Sequence, residues 1–270
     1  LGSKGEKTVL VEKSPLMYGG TCINVGCIPS KFLATSADRK AYSQLGDEEY
    51  YKQAVENKKA LISKLNKANY DKVAGVPNVE VIDGLASFKD EHTVSIKTES
   101  GVQELYAERI FINTGTTPFV PETEGLEIKG RIHTSETIMN LEEFPRSLAI
   151  SGSGFIGLEF AASYAKFGTK VTIIDRGSKV LPREDEDVAN AVFEAYKGLG
   201  IEFIFDANIE KVEQDESEVK ISYSSKGEAR ELSAEAFLVA TGRKANVEGL
   251  NLKAAGIETS ERGFINVNEH

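Results

Sequence analysis

The feature that most constrains the fold is a glycine-rich turn, Gly152-Ser-Gly-Phe-Ile-Gly157, between two apolar segments. The segment before it, Ser147-Leu-Ala-Ile150, has the pattern of a buried strand. The segment after it, Leu158 to Phe167, has the pattern of a helix. A second apolar run, Lys170-Val-Thr-Ile-Ile-Asp175, follows. The order of strand, glycine turn, helix and strand predicts a parallel βαβ unit of the Rossmann type.

Each glycine of this turn has a separate role if the unit binds a dinucleotide. Gly152 permits the tight turn, Gly154 lets the backbone approach a pyrophosphate, and Gly157 lets the helix pack closely on the strand. The N–H groups at the start of the helix would then face the phosphates. A glycine turn without a ligand remains the alternative interpretation.

The end of the second strand bears on the choice of nucleotide. Asp175 lies 23 positions after Gly152, close to the spacing of about 20 expected for an acid that accepts bonds from a ribose 2′-hydroxyl. A carboxylate here repels a 2′-phosphate, whereas Arg176, the next residue, could pair with that phosphate. The sequence therefore predicts NAD(P)H as a cofactor, with NADH favoured over NADPH.

A second motif contains both cysteines of the chain, in Gly19-Gly-Thr-Cys22-Ile-Asn-Val-Gly-Cys27-Ile-Pro-Ser-Lys31. Cysteines this close can form a reducible disulfide if the backbone bends to bring their Cα atoms within about 7 Å of each other. Gly26 and Pro29 suit such a bend. A helix N-terminus and Lys31 nearby would increase the fraction of reactive thiolate. The motif therefore predicts a redox-active pair.

The cysteines could instead have a structural role. They could be two buried residues at the start of a helix. A structural zinc site needs about four N or S ligands, but the histidines, His92, His133 and His270, lie far from the cysteines in the sequence. We therefore expect no metal site.

Composition excludes several function classes. The 270 residues, 40% of them hydrophobic, suffice for one large or two ordinary domains. A net charge of −10 argues against nucleic acid or an anionic membrane as a partner, since both attract basic patches. No apolar run approaches the roughly 18 residues of a membrane span, and Leu1 to Lys7 lacks the apolar centre of a signal peptide. We expect a cytoplasmic protein that acts on a small molecule.

The rest of the chain alternates between helical and β-rich patterns. We expect a strand at Thr8–Glu12, a helix from about Ile28, and a long helix from Glu48 to about Val73. Further strands are predicted at 79–82, 92–96 and 108–112, with a turn at 113–118. After the Rossmann-type unit we expect a helix at 185–198, short strands within 201–223, and a strand at 236–240. A change of pattern near Phe144-Pro145-Arg146 predicts a domain boundary, with residues 1–145 before it and 146–270 after it.

In their order along the chain, these features resemble the class I pyridine nucleotide–disulfide oxidoreductases, such as dihydrolipoamide dehydrogenase, glutathione reductase and mercuric reductase. The acidic strand end at Glu12 comes first, followed by the cysteine motif and Asn113-Thr-Gly115. The second nucleotide turn and the segment Ala240 to Asn246 complete the match. The resemblance implies an α/β fold with two Rossmann-like dinucleotide-binding domains.

Residues 1–145 would form an incomplete FAD-binding domain with the cysteine motif, and residues 146–270 the NAD(P)-binding domain. By the same resemblance, a first FAD glycine turn would precede Leu1, and a C-terminal dimerisation domain would follow His270. We therefore expect this chain to be a fragment that is inactive by itself, and the full-length protein to be a homodimer.

The resemblance also implies roles for the residues of the cysteine motif and its partners. Cys22 would attack the substrate, and Cys27 would contact the flavin. Lys31 would be a partly buried lysine near the flavin ring, paired with Glu159. Glu12 would hold the FAD ribose.

Further cofactor contacts are implied at the remaining matched positions. Phe155 would cover the flavin until nicotinamide displaces it. Thr114 and Gly115 would contact FAD through their backbone, and the Thr241-Gly242 pair would contact the nicotinamide nucleotide. The complete set of expected cofactor-binding residues is Glu12, Gly20, Thr21, Lys31, Thr114, Gly115, Gly152, Gly154, Phe155, Ile156, Gly157, Asp175, Arg176, Gly242 and Arg243.

The implied reaction passes electrons from NAD(P)H through FAD to the Cys22–Cys27 disulfide, or in the reverse direction. The substrate would be a thiol or disulfide, a metal ion or an oxidant. The competing hypothesis is a non-catalytic nucleotide-binding module whose cysteines are structural.

Overall fold

The computed structural model describes residues 1–269, which divide into two compact units. Unit 1 consists of residues 1–24, 61–117 and the segment from Arg243 onward, and unit 2 consists of residues 25–60 and 118–242. This division differs from the boundary predicted near residue 145, because segments from both sides of that boundary share each compact unit. The assignment of 1–145 and 146–270 to separate cofactor-binding domains concerns function and stays a prediction.

The described residues contain α-helices of very different lengths, separated by short strands. The helices are α1 (Gly20–Asn24), α2 (Cys27–Arg39), α3 (Asp47–Ala74), α4 (Phe155–Phe167) and α5 (Glu186–Gly198). The strands before α4 are β1 (Thr8–Glu12), β2 (Val79–Asp83), β3 (Leu85–Phe88), β4 (Thr93–Thr98), β5 (Gly101–Tyr106), β6 (Thr116–Pro118), β7 (Ile132–Thr134) and β8 (Ser147–Ser151). Those after it are β9 (Lys170–Ile174), β10 (Glu202–Ile204), β11 (Ala207–Gln214), β12 (Val219–Ser225), β13 (Glu228–Ala234), β14 (Ala236–Val239) and β15 (Arg243–Ala245).

Unit 2 is built on a five-stranded sheet with the order β10-β9-β8-β14-β7, in which all neighbouring strands are parallel. Its central strands are apolar on both faces, as a covered parallel sheet requires. Leu148 and Ile150 of β8 pack into the same core cluster as Leu158 and Ala161 of α4. Ala149 points to the opposite face and packs with residues of the antiparallel sheet β11-β12-β13. The predicted Rossmann-like α/β fold class is confirmed.

Unit 1 contains smaller sheets. Strands β1 and β2 pair in parallel, β3, β4 and β5 form an antiparallel sheet, and β15 pairs with β6. The apolar cluster of this unit centres on Phe88, Leu250 and Leu252, with Ile110 and Ile112 packed against it. The N-terminal strand and the segment after β15 belong to the same compact unit despite their separation in the sequence.

Several predicted elements are wrong in extent or kind. The predicted strand at 108–112 is not a strand, because this segment contributes its isoleucines to the core without pairing in a sheet. The predicted turn at 113–118 ends in strand β6. Helix α4 begins at Phe155 rather than Leu158, since Gly154 already occupies the N-cap position. Strand β7 lies before residue 145 and yet joins the sheet of the nucleotide turn.

The buried histidine of β7 gives unit 2 a specific response to acid. His133 is 9% exposed, and its Nε2 atom has no hydrogen-bond partner among the described residues. Burial, and secondarily the charge of Arg131, lower the pKa of His133 to about 4. The unfolded chain therefore binds more protons than the folded chain between pH 6.5 and about 4.

We expect the free energy of unfolding to fall as the pH falls through this window, and His133→Leu to remove that part of the fall. The difference in unfolding free energy between the two proteins should change by about 3 kcal/mol between pH 7 and pH 4. Urea unfolding of both proteins across this range measures it. A difference that stays constant with pH would show that His133 is protonated equally in the folded and unfolded states.

Candidate functional site

The glycine turn of unit 2 has the geometry that the sequence predicts. Gly152 has φ 107°, and a Cβ added there would lie 2.6 Å from the carbonyl oxygen of Ala240. A Cβ on Gly157 would lie 2.0 Å from the carbonyl oxygen of Gly152, whereas a Cβ on Gly154 would meet nothing within 4 Å. The first and third glycines are therefore required by packing, and the second borders open space. That space fits a pyrophosphate approaching the N-terminus of α4.

Asp175 directly follows β9 and is bound to this turn. Its Oδ2 accepts hydrogen bonds from the Ser153 backbone N–H at 2.5 Å and the Ser153 hydroxyl at 2.7 Å. Its Oδ1 accepts a bond from the Gly177 N–H at 2.7 Å. The carboxylate is thus fixed at the end of the strand, while the neighbouring Arg176 side chain is exposed. Ser153 was not identified from the sequence, although it lies inside the motif.

Helices α2 and α4 bring four of the predicted catalytic and cofactor residues to one end of unit 2. Lys31 Nζ lies 2.5 Å from Glu159 Oε2, so the expected pairing is confirmed. Cys27 is one turn before Lys31 on α2, and Phe155 is one turn before Glu159 on α4, so each pair shares a helix face. Cys27 is exposed, and Phe155 is 69% exposed.

The burial of this ion pair differs from the expectation. The Lys31 side chain is 66% exposed rather than partly buried, and Glu159 at 30% is the more enclosed partner. The second carboxylate oxygen of Glu159, Oε1, is buried and has no hydrogen-bond partner among the described residues. A buried carboxylate oxygen without a partner is costly, so this atom marks a place where a donor from a bound group would be accommodated.

Cys22 lies in unit 1 on the single-turn helix α1, and its side chain is exposed. The two residues before Thr21 have positive φ, 94° at Gly19 and 74° at Gly20, which glycine tolerates best. Asn24 then closes the turn, because its Nδ2 donates to the carbonyl oxygens of Tyr18 at 3.0 Å and Gly20 at 2.9 Å.

Two of the positions that the resemblance assigns to FAD in unit 1, Thr114 and Gly115, are held by Asn246, which directly follows β15. Asn246 donates its backbone N–H to the Gly115 carbonyl at 3.0 Å and its Nδ2 to the Thr114 carbonyl at 3.2 Å. A Cβ on Gly115 would lie 3.8 Å from the Thr21 hydroxyl oxygen, so these predicted contacts are neighbours. Glu12 Oε1 accepts a bond from the Ser14 N–H at 3.1 Å.

Arg243 has a structural contact that the sequence did not suggest. Its Nε donates to the Thr116 hydroxyl at 2.8 Å and its Nη2 to the Thr116 carbonyl at 2.7 Å, which links β15 to β6. Gly242 before it has φ 138° and open space around its Cβ position. The backbone at Gly242 is therefore free to approach a ligand, whereas part of the Arg243 guanidinium is engaged with the protein.

The two remaining chemical features concern metals and membranes. Within residues 1–269, no group of three or more His, Cys, Asp or Glu side chains is placed to hold a metal ion. In the same part of the chain, no helix has the length and apolarity needed to cross a membrane.

The glycine geometry predicts opposite effects for two alanine substitutions. Gly154→Ala should change the free energy of unfolding by less than about 1 kcal/mol, because the added methyl group enters open space. If this turn binds the nucleotide as predicted, the substitution should weaken NADH binding at least about tenfold, because the methyl group would occupy the expected pyrophosphate position. Gly157→Ala should destabilise the protein by about 1–3 kcal/mol or more, because its methyl group collides with the Gly152 carbonyl.

Thermal unfolding and NADH titration of both variants measure these effects. Equal stability losses in the two variants, or undiminished NADH affinity in Gly154→Ala, would contradict the assignment.

Comparison with known proteins agrees with this geometry. The chain is 36% identical over 269 residues to the probable pyridine nucleotide-disulfide oxidoreductase RclA of Escherichia coli, covering 100% of this chain and 58% of RclA. It is 32% identical to dihydrolipoyl dehydrogenase of Geobacillus stearothermophilus and 31% identical to mercuric reductase of Staphylococcus aureus. These two matches cover 98% of this chain, and 57% and 49% of the respective relatives. The chain thus spans about half the length of the curated relatives it matches.

A solved structure agrees as well. The Cu(II) complex of the HOCl-induced flavoprotein disulfide reductase RclA from Escherichia coli superposes with a TM-score of 0.89 at 36% identity, covering 98% of this chain and 57% of that one. Residues 1–270 match the family described as pyridine nucleotide-disulphide oxidoreductase. The chain therefore belongs to the pyridine nucleotide-disulphide oxidoreductase family.

Proposed function

We propose that this chain carries the redox centre of a flavin-dependent disulfide oxidoreductase. Electrons would pass between NAD(P)H, FAD and a Cys22–Cys27 disulfide, and from there to or from a small-molecule substrate. The observation that carries the proposal is the Lys31–Glu159 pair one helical turn from Cys27, with a buried Glu159 oxygen still lacking a donor. A bare nucleotide-binding module has no need for this arrangement beside a cysteine.

The residues that would hold FAD are Glu12, Gly20, Thr21, Lys31, Thr114 and Gly115. FAD, when bound, supplies a two-electron link between the nicotinamide and the disulfide. Lys31 would place a positive charge one turn from Cys27, which together with the N-terminus of α2 favours the thiolate form of that cysteine. Glu159 would fix the Lys31 ammonium by their ion pair. Cys22 would be the thiol that meets the substrate.

The nucleotide would bind along the turn of unit 2 through Gly152, Gly154, Ile156 and Gly157, with Phe155 shielding the flavin in its absence. Gly242, which lies between β14 and β15, and Arg243, the first residue of β15, would contribute further contacts. We propose that NADH is favoured over NADPH, because the hydrogen bonds to Asp175 hold its negative charge at the end of β9. A 2′-phosphate placed there would be repelled.

The substrate class is the least constrained part of the proposal. Relatives with matching chains are named for lipoamide and for mercury, and the RclA structure is titled as a Cu(II) complex. By analogy the acceptor or donor would be a thiol or disulfide, a metal ion or an oxidant. We further propose that the full-length protein is a cytoplasmic homodimer.

The cysteine pair can be tested directly in the full-length protein. Alkylation before reduction should leave Cys22 and Cys27 unmodified in air-oxidised protein, and reduction with dithiothreitol should make both reactive. Mass spectrometry of the labelled peptides identifies the sites. Complete labelling of both cysteines without reduction would support the non-catalytic alternative.

Substitution of either cysteine should separate redox function from nucleotide binding. Cys22→Ser and Cys27→Ser should each lower NADH-dependent turnover with disulfide or metal-ion acceptors by roughly a hundredfold or more, because the covalent step needs both thiols. The affinity for NADH should stay within about twofold, since neither cysteine belongs to the glycine turn proposed to bind the pyrophosphate. Undiminished turnover in both variants would reject the proposed electron path.

Nucleotide preference is measured by titrating the full-length protein with NADH and NADPH. NADH should bind more tightly, and Arg176→Ala should weaken NADPH binding further while leaving NADH binding unchanged, because only a 2′-phosphate can pair with Arg176. Arg183→Ala is the matched control, since it removes an exposed arginine farther along the same loop. Tighter binding of NADPH by the wild type would show that Arg176 outweighs Asp175.

A further inference from the structure

The turn that carries Cys22 cannot hold its conformation by itself. Helix α1 has only five residues, far below the length at which a helix is stable alone. Its first residue, Gly20, and the preceding Gly19 both have positive φ, and glycine is the most flexible residue of a chain. The position of the Cys22 thiol must therefore be imposed by side chains that contact this turn.

Asn24 supplies the first of these contacts from within the turn. Its Nδ2 donates to the carbonyl oxygens of Tyr18 and Gly20, both of which lie before Cys22. The two bonds bridge the backbone on either side of Thr21 and Cys22. They use both N–H donors of the Asn24 amide and leave its Oδ1 atom to be satisfied from elsewhere.

Asn66 satisfies that atom from the long helix α3. Its Nδ2 donates to Asn24 Oδ1 at 3.1 Å, and it also lies 3.4 Å from the Tyr18 carbonyl oxygen. Both asparagines are partly buried. Because Asn66 fixes the orientation of the Asn24 amide, it connects the Cys22 turn to a 28-residue helix.

The other end of the turn is anchored on the neighbouring strand. Tyr18 is 7% exposed, and its hydroxyl donates to the carboxylate of Asp83 at the end of β2. Its ring also packs edge-on against Tyr70 of α3, with the ring centres 4.8 Å apart. The Tyr18 carbonyl that accepts bonds from Asn24 and Asn66 is therefore itself held in place.

We infer that Asn66 is a positioning residue for Cys22, acting through Asn24 to hold the turn that carries Cys22 in a single conformation. The inference rests on the proposed redox role of the Cys22–Cys27 pair. Reduction breaks one S–S bond, adds two electrons and two protons, and leaves two thiols. A preorganised turn raises the effective concentration of one thiol at the other, so loosening it shifts the equilibrium towards the dithiol.

The test is the equilibrium between the cysteine pair and dithiothreitol in the full-length protein. One dithiothreitol becomes its cyclic disulfide for each protein disulfide reduced, and the reduced fraction is read by alkylation and mass spectrometry of the Cys22 and Cys27 peptides. Asn66→Asp keeps the shape of the side chain but removes both N–H donors. We expect it to shift the equilibrium towards the dithiol by about tenfold, equivalent to about 30 mV for a two-electron couple.

Two further variants separate positioning from general destabilisation. Asn57→Asp makes the same change at an exposed position of α3 and should leave the equilibrium unchanged. Asn66→Gln retains an amide donor and should recover part of the wild-type equilibrium. If Asn66→Asp does not fold, as judged by circular dichroism, Asn24→Asp makes the same measurement within the turn.

The outcomes separate this inference from the proposed function. A wild-type protein that forms no Cys22–Cys27 disulfide at any dithiothreitol ratio would reject the proposed function itself. A wild-type disulfide with an unchanged equilibrium in folded Asn66→Asp would overturn only the role of Asn66. The same tenfold shift in Asn57→Asp would also overturn it, because the effect would then be one of added charge.

Discussion

The fold of unit 2 depends on glycine at two positions, Gly152 and Gly157, where no side chain can be accommodated. The Gly157 position leaves no room for a Cβ against the Gly152 carbonyl, and Gly152 leaves none against Ala240. Because these contacts are between backbones, α4 can start immediately after β8 and pack directly on the sheet. The placement of Phe155 and Glu159 at the start of α4 follows from this contact rather than from their own interactions.

The position of α2 follows in turn from α4. Lys31 pairs with Glu159, and Asp38 pairs with Lys166 at 2.5 Å. The partners are seven residues apart on each helix, so the two helices run side by side in the same direction. Exposed ion pairs contribute little stability. The packing of α2 against α4 is stabilised instead by buried side chains such as Leu33 in the shared core. The two pairs act mainly by selecting one register, which sets Cys27 and Lys31 beside the start of α4.

The sequence predicts well the features that depend on neighbouring residues. The strand–turn–helix–strand unit, the long helix α3 and the close packing at Gly152 and Gly157 follow from local spacing. Pairing of distant segments could not be predicted, because a three-residue strand such as β6 or β7 has no distinct pattern of its own. Its partner, β15 or β14, lies more than 100 residues away. The segment at 108–112 shows the converse, since an apolar β-branched pattern predicts burial and does not guarantee a paired strand.

Hydrogen bonds between polar side chains were equally hidden in the sequence. Asn66 and Ser153 have ordinary sequence surroundings, and only the folded chain shows that they fix Asn24 and Asp175. Of these two contacts, only the one between Ser153 and Asp175 could have been predicted from the sequence. The second residue of a glycine turn lies near the end of the following strand, where Asp175 is found. Asn66 is separated from Asn24 by 42 positions, and no local pattern relates the two.

The hydrogen bonds to Asp175 link its structural role in the glycine turn to its proposed role in nucleotide choice, so one cannot be changed without the other. An acid at the end of the second strand is usually considered for its contact with a ribose, but here its carboxylate also holds the Ser153 N–H and hydroxyl within the turn itself. Under the proposed function, removing the charge to admit a 2′-phosphate would also release the loop that we propose positions the pyrophosphate. Under the proposed function, a change of nucleotide preference is therefore more accessible through Arg176 than through Asp175, because the arginine side chain is exposed and the aspartate is hydrogen-bonded to the turn.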